Sequence, residues 1–523
     1  MAIYRSPLPD VEIPDTALTP FVLRCAEELS AKPALVDGPS GRALTYGELA
    51  AGIRSLAAGL AGRGFGRGDV FALYLPNVPE YAVAFHGVAL AGGMVTTLNP
   101  LYIADELVGQ LHASGARYLL TVAPFLDTAR EAVGRTGVEE VFVSGGAEGA
   151  SPFDSLLDPS GTPPDVKVEP AEDVVVLPYS SGTTGVSKAV MLTHRNLVAN
   201  VLQSEAAHPI TGEDRLMGVL PFFHIYGQTV IMNMGLHLGA TIVTMPRFDL
   251  EQFLGIIQEH RLTFAHLVPP IVLALAKHPM VDGYDLSSLK TVLSGAAPLG
   301  APLEVAFRER TGIDVIQGYG MTEASPVTHV RPLDDVAHPG SIGPVLPNTE
   351  ARVVGPDGQD LPAGLDGEIL IRGPQVMQGY LNDPEATAST VDEGGWLHTG
   401  DIGHADADGI FYVVDRLKEL IKYKGYQVPP AELEAILVTH PAVADAAVIP
   451  HPDEEAGEIP KAFVVLRPGV GGDPAEIMAF VAARVSPQKR IRLVEFVDEI
   501  PKSASGKILR RALVDRERGV APA

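Results

Sequence analysis

Tyr179-Ser180-Ser181-Gly182-Thr183-Thr184-Gly185-Val186-Ser187-Lys188 is the stretch on which the reading of this chain turns. It follows an apolar run, 174–177, that reads as a buried strand. It precedes Thr193, a suitable N-cap for a helix over 194–204. The expected unit is therefore strand, loop, helix. Gly182 and Gly185 remove side chains that would block a close approach, so backbone N–H groups and hydroxyls can surround phosphate oxygens. Lys188 adds a point charge. No G-x-x-x-x-G-K-[ST] pattern occurs, so this is not a Walker A loop. By itself the stretch is also compatible with a plain surface loop, and the rest of the chain decides.

Upstream, Thr45 and Glu48 form a capping-box pattern, and Leu49, Ile53, Leu56, Ala57 and Leu60 mark one helical face that stops at Gly64. Strands at 70–75, 95–98, 119–122 and 141–143 surround a helix at 79–90. Strands alternating with helices imply an α/β sheet with much parallel pairing. The segment 145–170, rich in Gly, Pro and Ser, reads as a surface connection. Downstream, His224 sits among Phe223, Ile225 and Tyr226, which fits either a site residue or a core histidine. Strands at 241–245 and 263–268, a helix at 250–261, and the turns at 295–298 and 317–323 continue the pattern. Ligands of open α/β sheets gather at such strand ends.

From about 341 the texture changes to short strands, 351–354 and 368–371, between Gly and Pro turns, which suggests a β subdomain. A lysine-dense connector, 415–425, follows. Beyond it a helix after Pro430, strands at 446–449, 462–466 and 493–497 and a helix at 477–485 make a small α+β unit. The fold class is thus α/β, with a large N-terminal region that includes a β subdomain and a small C-terminal α+β domain. The expected boundaries are 1–415, a hinge and linker at 416–425, and 426–523.

The 523 residues exceed one ordinary core, and 46% of them are apolar, enough for large interiors. A net charge of -25 argues against a general binder of nucleic acid or anionic membrane. Cys25 is the only cysteine, so no intramolecular disulfide and no cysteine metal site forms. No 18-residue apolar run suggests a membrane helix. No signal-length apolar segment opens the chain and no retention signal closes it, so a cytoplasmic setting is expected.

Five motifs in order, 180–188, 319–323, 399–401, Asp415-Arg416 and Ser505-Gly506-Lys507, resemble the adenylate-forming (acyl-CoA synthetase) superfamily from Thr45 to Lys507. Within it the chain looks most like 4-coumarate–CoA ligases, through Phe223-His224-Ile225-Tyr226, the run 294–299, the run 317–324 and the run 418–427. That resemblance implies activation of a carboxylic acid by ATP, with release of pyrophosphate, and transfer of the acyl group from AMP to coenzyme A. The chemistry brings anions together, so positioned donors and a divalent cation must carry charge.

By similarity, Ser180, Ser181, Gly182, Thr183, Thr184 and Lys188 hold the triphosphate, and Thr184 and Glu323 face Mg²⁺, which prefers hard oxygen ligands. Asp401 accepts both ribose hydroxyls, Arg416 contacts ribose or phosphate, and Tyr319 stacks on adenine beside Gln317 and Gly318. Thr322 bonds the α-phosphate. Lys507 bridges the acid and the α-phosphate during adenylation. Lys418 is the hinge on which the small domain turns, and Lys418 and Lys422 belong to the nucleotide side. Arg247, Lys424 and Gly425 are expected at CoA. His224, Tyr226, Ala296, Gly320, Pro326 and Val327 line the acid pocket, with His224 as its gate.

The chain departs from the family at Ser187, where Pro is usual, and at Ala189 and Ala296, where Gly is usual. A backbone that needs glycine at Ala189 would weaken ATP binding. Ala296 makes the acid slot shallower, which would favour cinnamate over ring-substituted acids. The expected substrates are 4-coumarate, cinnamate or a related aryl acid, with ATP and CoA. A fatty-acid–CoA ligase, an enzyme loading a separate carrier protein, and a non-catalytic sensor on the same fold are the rival readings.

Overall fold

The computed structural model describes residues 3–180, 187–335, 337–424, 426–453, 455–503 and 506–517. Among them the strands form four sheets. The helix Tyr46–Gly62 starts as the sequence implies. Thr45 accepts from the Glu48 amide at 3.2 Å, and Glu48 accepts from the Thr45 amide at 2.8 Å. Leu49, Ile53, Leu56 and Leu60 are buried against the helix Pro79–Leu90.

A nine-stranded sheet carries parallel strands Val70–Tyr74, Met94–Thr97, Ala116–Val122 and Glu140–Ser144. An eight-stranded sheet carries parallel strands Arg215–Gly218, Thr241–Thr244, Phe264–Leu267, Thr291–Ser294 and Asp314–Gly320. One continuous core runs between the two sheets. The segment 179–194 departs from the expected strand, loop and helix. Lys188–Thr193 is a strand, antiparallel to Tyr179–Ser180, and the helix His194–Ala207 begins only after it. Among the described residues the motif thus leads into a strand, and the helix follows only at His194. Thr193 caps that helix as expected, accepting from the Asn196 amide at 3.2 Å.

The β subdomain is a five-stranded antiparallel sheet completed by Tyr4–Arg5 from the chain start, a pairing across the whole large region. The small unit packs the helices Pro430–Leu437 and Pro474–Ala482 on a second five-stranded sheet with its own core, including Ile421, Leu433, Leu437 and Val448. It meets the large region where Lys277 donates to the Val438 carbonyl at 2.6 Å and where Gly300 lies against Ala435. Among the described residues no helix is long and apolar enough to cross a membrane.

Candidate active site

Of the residues expected at the triphosphate, Ser181, Gly182, Thr183 and Thr184 lie outside the described residues, as does Gly425, expected at CoA. Their flanks are placed. Ser180 pairs with Lys188 across the hairpin. Ser180 Oγ donates to Glu323 Oε1 at 2.7 Å, and the Tyr380 hydroxyl donates to the same oxygen at 2.8 Å. Lys188 Nζ stands 5.5 Å from the Tyr380 ring centroid. Glu323 is only 4% exposed, on the short turn Thr322–Ala324 whose Thr322 is also buried. Its Oε2 has no donor among the described residues, which suits a cation that takes one carboxylate oxygen, waters and phosphates. Tyr380 was not legible as a site residue: it follows a glycine in a two-residue strand, far along the chain from its partners. Ala189 sits in the strand Lys188–Thr193, opposite Tyr179, and is not among the residues with positive φ. The expected backbone penalty there is absent.

The strand Asp314–Gly320 presents Gln317, Gly318 and Tyr319. The Gln317 side chain is committed to backbone. It accepts from the Leu299 amide and donates to the Leu299 carbonyl, each at 3.0 Å, and so fixes the turn 295–299. The Tyr319 hydroxyl donates to Asp401 Oδ2 at 2.5 Å, and Arg416 Nε lies 3.2 Å from Asp401 Oδ1. Asp401 and Arg416 are cross-strand neighbours in the β subdomain. Burial pushes the Asp401 carboxyl up, against the pull of Arg416, Tyr319 and Lys507. Burial and the Asp401 charge push the Tyr319 phenol well up.

Lys507 reaches this group from the small unit. Its turn is closed by the Ser503 amide donating to the Lys507 carbonyl at 2.8 Å and the Lys507 amide donating to Ser503 Oγ at 3.1 Å. At Gly506 (φ 78°) an added Cβ would come within 2.9 Å of Val268, so the turn lies hard against the end of the strand Phe264–Leu267. Burial, then the Arg416 charge, push the Lys507 amine down to about 8, with Glu419 and Asp401 opposing. His224 is pushed down to about 4, by burial first and the Lys507 charge second. The Tyr226 amide donates to His224 Nδ1 at 3.3 Å, so the neutral ring keeps its proton on Nε2.

Lys418 is exposed on the turn after Arg416. Asp415, just before it, accepts from the Arg416 amide at 2.7 Å and from the Ala431 amide of the small unit at 2.9 Å. Arg510 ties this turn to the small unit's interior through Glu419 and through Glu434 at 2.6 Å. Neither Lys422 nor Lys424 joins the Asp401 cluster. The Lys422 amide donates to Glu458 at 2.7 Å and Lys424 pairs with Glu455, both within the small unit. Arg247 is exposed just beyond the strand Thr241–Thr244.

The residues expected to line the acid pocket lie in two neighbourhoods, one at Tyr226 and Gly295 and one at Gly320, Pro326 and Val327. Tyr226 packs on Gly295, where a Cβ would come within 3.0 Å of its ring. A Cβ on Gly320 would lie 2.1 Å from the Pro326 carbonyl oxygen, so no side chain fits. Asn200 clamps Val327 from both sides, donating to its carbonyl at 2.8 Å and accepting from its amide at 3.0 Å. Ala296 adopts φ 68°, the left-handed region that favours glycine. Among the described residues no three His, Cys, Asp or Glu side chains gather as a metal cluster.

The family model for AMP-binding enzymes matches residues 22–381, and that for the AMP-binding enzyme C-terminal domain matches residues 432–507, ending on Lys507. The chain belongs to the AMP-binding enzyme family. This AMP-binding enzyme is 46% identical to 4-coumarate–CoA ligase 3 of Oryza sativa subsp. japonica, over 98% of this chain and 94% of that protein. It superposes with a TM-score of 0.91 on the anthranilate CoA ligase AuaEII in complex with anthranoyl-AMP, at 28% identity over 97% of this chain and 98% of the other. It fits MatB from Rhodopseudomonas palustris better with ATP bound (TM-score 0.86, 28% identity) than without (0.77, 29%), covering 96% of this chain and 99% of MatB in each.

Proposed function

We propose that this enzyme is an ATP-dependent acid–CoA ligase acting on 4-coumarate, cinnamate or a related aryl acid. The observation that carries the reading is Lys507: an amine from the small unit set within electrostatic range of Asp401, Arg416 and His224 of the large one, with its pKa drawn down to about 8. In the first half-reaction the substrate carboxylate attacks the α-phosphorus of ATP. The acyl–oxygen–phosphorus bond forms as the bond to pyrophosphate breaks. Asp401 accepts from the ribose, Tyr319 lies along the adenine, and Arg416 and Lys507 offset charge at the α-phosphate and the attacking carboxylate, beside Thr322. Ser180, Lys188 and the loop residues Ser181 to Thr184 would hold the outer phosphates. Glu323, with Thr184, would hold Mg²⁺, which offsets the charge of the phosphates and leaving group.

In the second half-reaction the CoA thiolate attacks the acyl carbon and AMP leaves. The groups for CoA must then face the site, which calls for rotation about Lys418 of the small unit, whose sheet and core begin at Ile421. The better fit to ATP-bound than to apo MatB supports assigning the present arrangement to adenylation. After rotation Lys424 and Gly425, with Arg247, would serve CoA. A cytoplasmic setting belongs to the same proposal, resting on the single cysteine.

The test measures pyrophosphate release with ATP and Mg²⁺ against a panel of acids, each with and without CoA. Release on 4-coumarate or cinnamate that rises with CoA and yields a thioester is expected. Best turnover on aliphatic acids would move the substrate to the fatty-acid class, and AMP release indifferent to CoA would point to carrier loading.

A further inference from the structure

Behind Tyr226 lies a histidine that no motif singled out. His266 is on the strand Phe264–Leu267, opposite Leu293 in the next strand. It is 0% exposed, and neither ring nitrogen has a protein partner. A buried polar group left unpaired costs about 1–3 kcal/mol, and such groups are rare enough in folded proteins to need a reason.

The neighbours of His266 supply no partner. Phe264 packs at 4.8 Å between ring centroids, and Tyr226 stands edge-on at 6.1 Å and 85°. The Tyr226 hydroxyl is directed to the Leu293 carbonyl, at 3.5 Å. His208 lies 5.9 Å away, and its Nδ1 donates to the Ser204 carbonyl at 2.7 Å, so its Nε2 is also an acceptor without a partner. The polar atoms of His266 are thus set among the rings of Phe264, Tyr226 and His208, beside a residue expected at the acid pocket.

We propose that His266 determines specificity by hydrogen-bonding a hydroxyl on the ring of the aryl acid. This rests on the aryl-acid reading above and narrows it to ring-hydroxylated acids of the 4-coumarate kind. Burial holds the imidazole neutral, so one nitrogen donates and the other accepts, and a phenol can satisfy either. The shallow slot at Ala296 pulls the other way, toward cinnamate. Magnitude decides between them: one methyl group in an apolar pocket discriminates by about 10–200-fold, whereas a buried polar group left unpaired by the wrong substrate can reject it by up to about 10⁴–10⁵-fold.

The experiment compares 4-coumarate with 4-methylcinnamate, which fills the same volume without a hydrogen bond, and with cinnamate. The full chain is assayed for kcat/KM with ATP, Mg²⁺ and CoA. Wild type should prefer 4-coumarate over 4-methylcinnamate by at least about tenfold. His266→Leu should bring the two together, chiefly by loss on 4-coumarate, and His266→Gln, which keeps a donor and an acceptor, should restore part of the preference. Equal kcat/KM for the pair in wild type, or an unchanged ratio in a folded His266→Leu, overturns the proposal. If the variants do not fold, the wild-type ratio alone decides. Failure of the aryl-acid reading looks different: none of the three acids would yield AMP or thioester in wild type, and both statements would then fall.

Discussion

Tyr319 donates a 2.5 Å hydrogen bond to Asp401, joining the last parallel strand of the eight-stranded sheet to the β subdomain at the place assigned to the ribose. The bond holds the carboxylate ready, because burial alone would favour its neutral form. Tyr319→Phe keeps the ring and removes the donor. A hydrogen bond to a charged group is worth about 1.5–3 kcal/mol, so KM for ATP should rise by roughly tenfold or more. The Asp401 pKa, already above the ordinary carboxylate value, should rise further. The acid limb of kcat/KM for ATP should therefore move to higher pH. An acid limb that stays in place would separate Tyr319 from the ionisation of Asp401.

Lys507 should be needed for one half-reaction only. Lys507→Ala should lower acid-dependent pyrophosphate exchange by about a hundredfold to a thousandfold, the range for losing one preorganised charge donor. Conversion of supplied acyl-AMP and CoA to thioester should largely survive. The charged amine is the active form and its pKa is pushed down to about 8. Exchange should thus decline as pH rises through about 8, well before an ordinary lysine would lose its proton. Lys507→Arg, charged throughout this range, should abolish that alkaline limb even at a reduced rate.

The strands and helices were largely legible because their periodicity is local. The helices at 79–90 and 250–260, the parallel strand ends and the small α+β unit all stand where apolar spacing puts them. What was not legible depends on distant partners. Tyr380 matters through Glu323, and Tyr4–Arg5 through Glu350–Val354. His266 is hidden inside an apolar strand, where a lone histidine looks like core. The fully buried pair Arg331 and Glu304, bonded at 2.5 and 3.0 Å, leaves no local pattern either. The hairpin at Lys188 was misread as a direct entry into a helix because its short strand abuts a good N-cap.

Ala296 and Ala189 both stand where relatives favour glycine, and the structure separates them. Ala296 carries a positive φ, so Ala296→Gly should relieve strain and stabilise the protein by about 0.5–1 kcal/mol after the extra chain entropy of glycine is counted. It should also deepen the slot and raise kcat/KM for ferulate relative to cinnamate. Calorimetry and the substrate ratio read the two effects separately, and unchanged ratios would remove Ala296 from the pocket.

Ala189 is a strand residue, 6% exposed and packed in a core cluster. Ala189→Gly should therefore destabilise by about 1 kcal/mol, from a lost buried methyl and greater chain freedom. ATP affinity should not improve. A clear fall in KM for ATP would show that the Cβ does crowd the phosphates.

Arg510 ties the segment that carries Lys507 to the helix Pro430–Leu437 and to Glu419. It meets Glu434 at 2.6 and 3.2 Å and Glu419 beside the hinge, three residues after Lys507. Glu434 is buried and also accepts from the Val448 amide at 2.8 Å. Arg510→Leu leaves that carboxylate without its cation, a change that costs about 3–5 kcal/mol when a buried pair loses one partner. Burial already pushes the Glu434 carboxyl up, and losing Arg510 pushes it further. A raised carboxyl binds its proton more tightly folded than unfolded, so the variant should be least impaired near pH 5 and lose stability as pH rises toward 8. Arg510→Lys keeps the charge but not the forked geometry and should fall between. Urea midpoints at pH 5.5 and 8 check this: a deficit independent of pH would mean that Glu434 is not the group left unpaired.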